Sequence, residues 1–271
     1  MQARTTQAVL RTLPVGAAVP TLVMLGAVVN ALAVRIPEAM AQGHGLLDAG
    51  IGPFLLVSLF VATRLCMGTG EVGRPRFALA LDAVTVMLVL VPSSAVSWFA
   101  LLIYAGCQAA TSNGERRQGA LMFLAIAATA LWSSVVMKLI AGPVTTSEAF
   151  LLGKLLVGLR PDIVQTGNVI GDPEGHSLIL MTRCTTLNAL PSALVSLVGV
   201  ALLLGRINRD RLWRSALMLS ALLLGANLIR LGAMAWSADS YTMVHGPIGA
   251  NVFDGFQALT VLALGNWLSR P

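Results

Sequence analysis

Apolar residues in this chain occur in long uninterrupted runs, not in strand-like alternation or along one helical face. Eight runs stand out: Val15 to Val34, Leu46 to Leu65, Phe77 to Val91, Ala95 to Ala110, Gln118 to Ala141, Leu187 to Leu204, Leu212 to Trp236 and Val252 to Leu268. A helix crossing a hydrocarbon core needs roughly 17 to 25 mostly apolar residues, and each run is a candidate span. The third and fourth are short and joined by Pro92-Ser93-Ser94, which suits a helical hairpin that does not fully cross. The pattern predicts an all-α integral membrane protein of about eight transmembrane helices. It forms a single polytopic domain over 1–271: N-terminal helices over 1–145, an extracytoplasmic segment over 146–183, and C-terminal helices over 184–271.

The longest polar interval runs from Gly142 to Arg183. Thr145, Thr146 and Ser147 offer an N-cap, and Phe150 to Leu159 reads as an interfacial or re-entrant helix too short to span. Further on, Ile163-Val164, Val169-Ile170 and Leu178 to Met181 are separated by Asp172-Pro173-Glu174-Gly175, with Pro and Gly where a type I turn prefers them. A small hairpin is expected to deliver the chain into Arg183-Cys184.

Composition agrees with the runs: 56% of residues are hydrophobic and 11% charged, with a mean hydropathy of +0.79. These values exclude an ordinary soluble domain. Lys and Arg are retained on the cytoplasmic side. Arg4, Arg11, Arg64, Arg74, Arg76, Arg116, Arg117, Arg206, Arg209, Arg211, Arg214 and Arg270 make 12 of the 18 basic residues and fall in the termini and alternate loops. The other six (Arg35, Lys138, Lys154, Arg160, Arg183 and Arg230) lie near the opposite ends, with Glu38, Asp48, Glu148, Asp162, Asp172, Glu174 and Asp239. A multi-pass protein of the cell (inner or cytoplasmic) membrane follows, with both termini cytoplasmic and the first span retained. The net charge of +6 is dispersed in short loops without interleaved aromatics, so it is topogenic. Membrane lipid is the expected partner and nucleic acid is not.

Candidate chemistry clusters late in the chain. Cys66 and Cys107 fall at expected cytoplasmic helix ends, whereas Cys184 faces the other side, three residues before the sixth run. The unpaired amides and dipole of that helix, with Arg183 adjacent, would favour a thiolate, while Thr185 and Thr186 would add hydroxyl donors or cap the helix. The bland alternative is a small packing residue. Arg230 lies about 18 residues into the seventh run; it either snorkels to headgroups or points inward with Asn227, three residues earlier on the same face. His245, in a loop before Gly246-Pro247, is either merely solvated or the group that takes the thiol proton and returns it to a leaving amine. Arg230 could then stabilise the oxyanion.

Three segments together resemble the signature segments of the exosortase/archaeosortase family. They are Arg183-Cys184-Thr185-Thr186-Leu187, Asn227-Leu228-Ile229-Arg230 and His245-Gly246-Pro247-Ile248-Gly249-Ala250-Asn251-Val252-Phe253. The resemblance covers roughly residues 150 to 270. It departs from the family at Thr185-Thr186, where Ser-Gly is usual, and at Arg183, where a small residue is expected. It implies a membrane-embedded cysteine protease and transpeptidase with its active site on the extracytoplasmic side. Its substrates would be secreted proteins with a C-terminal Pro-Glu-Pro type motif, an apolar helix and a basic tail. By that resemblance Cys184 forms a thioester, Arg230 steadies the oxyanion and His245 is the general acid and base. Asn227, Arg183 and Thr185 support them, and a surface glycan or lipid amine is the acceptor.

Other signals are weaker. Gly68-Thr69-Gly70-Glu71-Val72-Gly73 fits G-x-G-x-x-G but follows an apolar run and precedes Arg74-Pro75-Arg76, so it lacks the strand and helix of a dinucleotide site. His44, His176 and His245 are too scattered for zinc, and no cofactor is expected. Asp82, inside the third run, is an ionisable group at membrane depth without an assigned role. Two rival functions stay open. One is a non-catalytic membrane component of exopolysaccharide assembly or export, in which Arg230 and His245 bind an anionic glycan or lipid phosphate; the other is a proton-coupled transporter.

Overall fold

A computed structural model describes residues 15–41, 51–69, 77–205 and 207–270. Arg4, Arg11, His44, Asp48, Arg74, Arg76, Arg206, the start of the second apolar run and all but the first two residues of the Gly68 to Gly73 motif lie outside the described residues. The side chain of Glu38 does too. The helices are α1 (Val15–Ala41), α2 (Pro53–Cys66), α3 (Ala78–Val89), α4 (Ser94–Thr111), α5 (Gly114–Leu131), α6 (Met137–Leu139), α7 (Ala141–Val157), α8 (Thr186–Leu203), α9 (Arg209–Trp236), α10 (Ala238–His245) and α11 (Pro247–Ser269). A π-turn, Trp132–Val136, joins α5 to α6.

Six helical stretches among the described residues are long and apolar enough to cross a membrane: Ala18–Ala41, Ser94–Thr111, Gly114–Leu139, Thr186–Leu203, Arg209–Trp236 and Ile248–Ser269. The protein is a multi-pass, mainly helical membrane protein. The remaining two expected spans, α2 and α3, are apolar helices of 14 and 12 residues. At 1.5 Å per residue neither reaches the ~30 Å of a hydrocarbon core. The fourth run, expected to be short, forms an 18-residue helix that starts under a cap in which Ser93 Oγ accepts from the Val96 amide.

Outside the spans the chain differs from the expected hairpin. The strands β1 (Val164–Thr166), β2 (Val169–Gly171) and β3 (Ser177–Ile179) form a three-stranded antiparallel meander. Gly167, at φ +61°, supplies the left-handed residue of the first turn. The turn over Asp172 to Gly175 forms as expected, with the Gly175 amide on the Asp172 carbonyl at 3.1 Å and Asp172 Oδ1 accepting from the Glu174 amide at 2.9 Å. Ile170 pairs with Leu178 in register, and both bury against Leu152 and Leu156 of α7 and Leu231, Met234 and Ala235 of α9. The expected helix over Phe150 to Leu159 begins nine residues earlier, at Ala141. Pro143 lies in its first turn, where a missing N–H breaks no helical bond, so Thr145 is an interior residue whose hydroxyl donates to the Ala141 carbonyl at 2.8 Å.

The spans pack in two groups. Trp98, Leu101, Tyr104, Phe123 and Ile126 form a buried core between α1, α2, α4 and α5, and Leu197, Leu219, Leu223 and Val261 form another between α8, α9 and α11. Ser58 of α2 and Ser196 of α8 bridge the groups through a 2.9 Å hydroxyl pair. Asp82 accepts from the hydroxyl of fully buried Tyr104 at 2.6 Å, an uncharged partner that tethers α3 to α4.

Pro191 interrupts the start of α8. Having no N–H, it cannot serve the Leu187 carbonyl four residues earlier. Trp132, in the π-turn, supplies the missing donor: its Nε1 lies 3.1 Å from that carbonyl, and Ser133 Oγ donates to Asn188 Oδ1 at 2.9 Å. The π-turn thus docks onto the first turn of α8. Trp132→Phe should destabilise the protein by about 0.5–1.5 kcal/mol, the net contribution of one hydrogen bond to a part-buried acceptor. Less loss is expected in a Pro191→Ala background, where the substituted residue restores a backbone amide for the Leu187 carbonyl. Unfolding of the four proteins in detergent gives the double-mutant cycle.

Candidate active site

Cys184 closes a 3-10 turn, Thr182–Cys184, two residues before α8 begins. The thiol is half-buried against the core of α7, the sheet and α9. Its backbone is held from both ends: the Cys184 amide donates to the Met181 carbonyl at 2.9 Å, and the Cys184 carbonyl accepts from Asn227 Nδ2 at 2.9 Å. The same Asn227 amide lies 3.3 Å from Glu148 Oε2. Glu148 Oε1 in turn accepts from the Thr186 amide at 2.7 Å. A carboxylate from α7 therefore caps α8, and a buried amide from α9 ties that cap to the Cys184 carbonyl.

This arrangement corrects the expectation for the thiol. The first amides of α8 are not left to the sulfur: Thr186 and Leu187 serve Glu148, and the Asn188 amide serves the Thr185 carbonyl at 3.2 Å. Thr185 supplies no cap either, because its hydroxyl donates to the Thr182 carbonyl at 2.7 Å. Arg183 is exposed on the 3-10 turn.

Arg230 lies one turn beyond Asn227 on α9, as the sequence places it. Its guanidinium carbon is 5.7 Å from the centre of the Phe253 ring on α11, a cation–π distance, and the Asp254 carboxylate is within its electrostatic reach. Nε of Arg230 is buried and has no acceptor among the described residues. A desolvated guanidinium N–H without an acceptor is costly in a resting fold.

His245 is not in a loop. It is the last residue of α10, a short helix begun by Ser237, whose Oγ accepts from the Ser240 amide at 3.1 Å. The exposed ring stacks on Tyr241, with centroids 5.0 Å apart and planes at 21°. Tyr241 also meets His176, at 5.7 Å, and His176 Nε2 lies 2.9 Å from the Met234 carbonyl. Neither Asp239 nor Asp254 is hydrogen-bonded to His245; the Tyr241 ring orients it. Gly249 lets α11 start against the end of α10, since a Cβ there would overlap the Val244 and Met243 carbonyl oxygens.

The structure brings Cys184, Asn227 and Glu148 into one network. Phe253 and Tyr241, which carry Arg230 and His245, pack against the same core as Cys184. The side chains of Cys184, Arg230 and His245 make no hydrogen bond to one another, and Asp82 belongs to the other helical group. Comparisons with family models, curated proteins and solved structures find no match.

Glu148 is the residue that sequence reasoning missed. Its signal is faint: a lone carboxylate in an apolar helix, 36 positions from Cys184. Burial pushes its carboxyl above the usual glutamate range, although the Thr186, Leu187 and Asn227 hydrogen bonds pull the other way. For an acid whose folded pKa is raised, the charge is harder to hold folded than unfolded. Stability should therefore fall as pH rises from the usual glutamate range through the folded pKa. Glu148→Gln should lack this step in pH-dependent unfolding, while Glu148→Ala should lower stability by about 0.5–2 kcal/mol through loss of the helix cap.

Proposed function

We propose that this protein is a membrane-embedded cysteine protease and transpeptidase that cleaves C-terminal sorting tails from secreted proteins at the extracytoplasmic face. The observation that carries the reading is the pairing on α9. Asn227 holds the Cys184 carbonyl at 2.9 Å, and one turn later Arg230 keeps a buried Nε without an acceptor among the described residues. A nucleophile segment tied to the turn of α9 that also carries a cationic donor with a buried N–H suits a reaction in which negative charge appears on an oxygen only transiently.

In this mechanism the Cys184 thiolate adds to the carbonyl carbon of the scissile peptide bond, and the carbonyl π pair becomes an oxyanion that accepts from Arg230. Collapse of the adduct breaks the C–N bond; His245, as imidazolium, gives its proton to the leaving amine, and a thioester to Cys184 remains. His245 then takes a proton from the acceptor, a glycan or lipid amine or water. The acceptor attacks the thioester carbon, and the C–S bond breaks to regenerate the thiolate. Tyr241, stacked on His245, sets the plane in which the imidazole works.

Co-expression with a protein bearing a motif, an apolar helix and a basic tail tests the proposal. Wild type should release the tail and yield a hydroxylamine-sensitive adduct, and Cys184→Ala and Cys184→Ser should do neither, because a serine hydroxyl is far less ionised at neutral pH. Arg230→Gln should reduce cleavage by about 10²- to 10³-fold, as loss of an oxyanion donor does. Full surface function in both Cys184 variants would discard the enzyme and favour a binding role in exopolysaccharide assembly or export.

A further inference from the structure

The far side of α8 borders a second polar space, separate from the Cys184 network. A cavity of about 240 Å³ lies between α1, α2, α4, α5 and α8. Its lining includes Arg35 of α1, Trp98 of α4, Ser133 of the π-turn and Asn188 and Ser192 of α8, between apolar walls.

Three groups with N–H donors meet in this lining. Trp98 is only 2% exposed, and its indole Nε1 is buried without an acceptor among the described residues. A buried indole N–H ordinarily finds a partner. Asn188 uses its oxygen to accept from Ser133, which leaves its NH₂ group as a donor. Arg35 adds a guanidinium. The Ser192 hydroxyl proton is committed to the Ala189 carbonyl at 2.9 Å, so Ser192 adds no donor to the cavity. No Asp or Glu lines the cavity among the described residues. A cation and two neutral donors, with no carboxylate among the described lining residues, suit an oxyanion, and a guanidinium matches the geometry of phosphate in particular. The volume falls below the roughly 300–1,000 Å³ of pockets that enclose drug-sized molecules, which limits the enclosed part to a head group. Basic pockets between membrane helices hold lipid head groups in this way.

We propose that this cavity binds a phosphate-class oxyanion, held by Arg35, the Trp98 indole N–H and the Asn188 amide. The site does not depend on the peptidase reading. Asn188 lies in the first turn of α8, four residues after Cys184, so a bound head group sits beside the same helix start.

Thermal unfolding of the purified full-length protein in neutral detergent tests the site, with inorganic phosphate, dihexanoyl phosphatidic acid and dihexanoyl glycerol as probes. A saturable rise in Tm is expected with phosphatidic acid and none with the neutral glycerolipid. A matching rise with inorganic phosphate would show that the free ion is also a source, and its absence would assign the oxyanion to lipid. Arg35→Gln should weaken the apparent affinity by about ten- to a hundredfold, as loss of a charged hydrogen bond does. Trp98→Phe keeps an aromatic ring, removes the donor, and should weaken it several-fold. If Arg35→Gln does not fold, Trp98→Phe and Asn188→Ala carry the test. The proposal is overturned if neither phosphate probe shifts Tm, if the neutral lipid shifts it equally, or if the folded variants bind as the wild type does.

Discussion

A helix that starts beside a membrane exposes amide hydrogens that no water-poor surroundings can satisfy, and in α8 that demand is met by a carboxylate borrowed from another helix. Glu148 accepts from the Thr186 amide, and Asn227 completes the arrangement by reaching both Glu148 and the Cys184 carbonyl. Three elements distant in sequence are thereby fixed around one residue. The surrounding features depend on where α8 begins: the 3-10 turn that carries Cys184, the meander that leads to it, and the turn of α9 that presents Arg230.

The opposite side of the same helix start solves a complementary problem. Pro191 removes a donor from the Leu187 carbonyl, and the π-turn brings Trp132 to replace it. Inserted turns of this kind recur at functional sites because they re-aim side chains without ending a helix. Here the π-turn also delivers Ser133 to Asn188 and so shapes the donor-lined cavity. The first turns of α8 are thus held by a carboxylate and an amide on one side and by an indole and a hydroxyl on the other.

Much of this architecture is legible in the sequence. Long apolar runs report spans directly, because length and polarity are local properties, and the turn at Asp172 to Gly175 is visible from Pro and Gly positions alone. What escapes is nonlocal. That Glu148 caps α8 cannot be read from its neighbours, since the pairing joins residues 38 positions apart. The 14-residue length of α2 and the early start of α7 at Ala141 depend on helix ends, which composition marks poorly. His245 reads as a loop residue because Ser, Asp and Gly surround it, yet Ser237 turns the same polar stretch into a capped helix. The sequence does place Cys184 beside a helix N-terminus, but only the fold shows that the first amides of that helix belong to a carboxylate and not to the sulfur.

Asn227, braced by Glu148, sets the position of Cys184, and the proposed function puts that thiol at the extracytoplasmic face. In a protein with Cys66 and Cys107 replaced by Ala, the rate at which a membrane-impermeant maleimide labels Cys184 in intact cells addresses it directly. The account predicts labelling from outside, with a rate that changes several-fold in Asn227→Ala while Cys184 remains in a folded protein. Labelling only after the cytoplasmic side is opened, or an unchanged rate in folded Asn227→Ala, would contradict it.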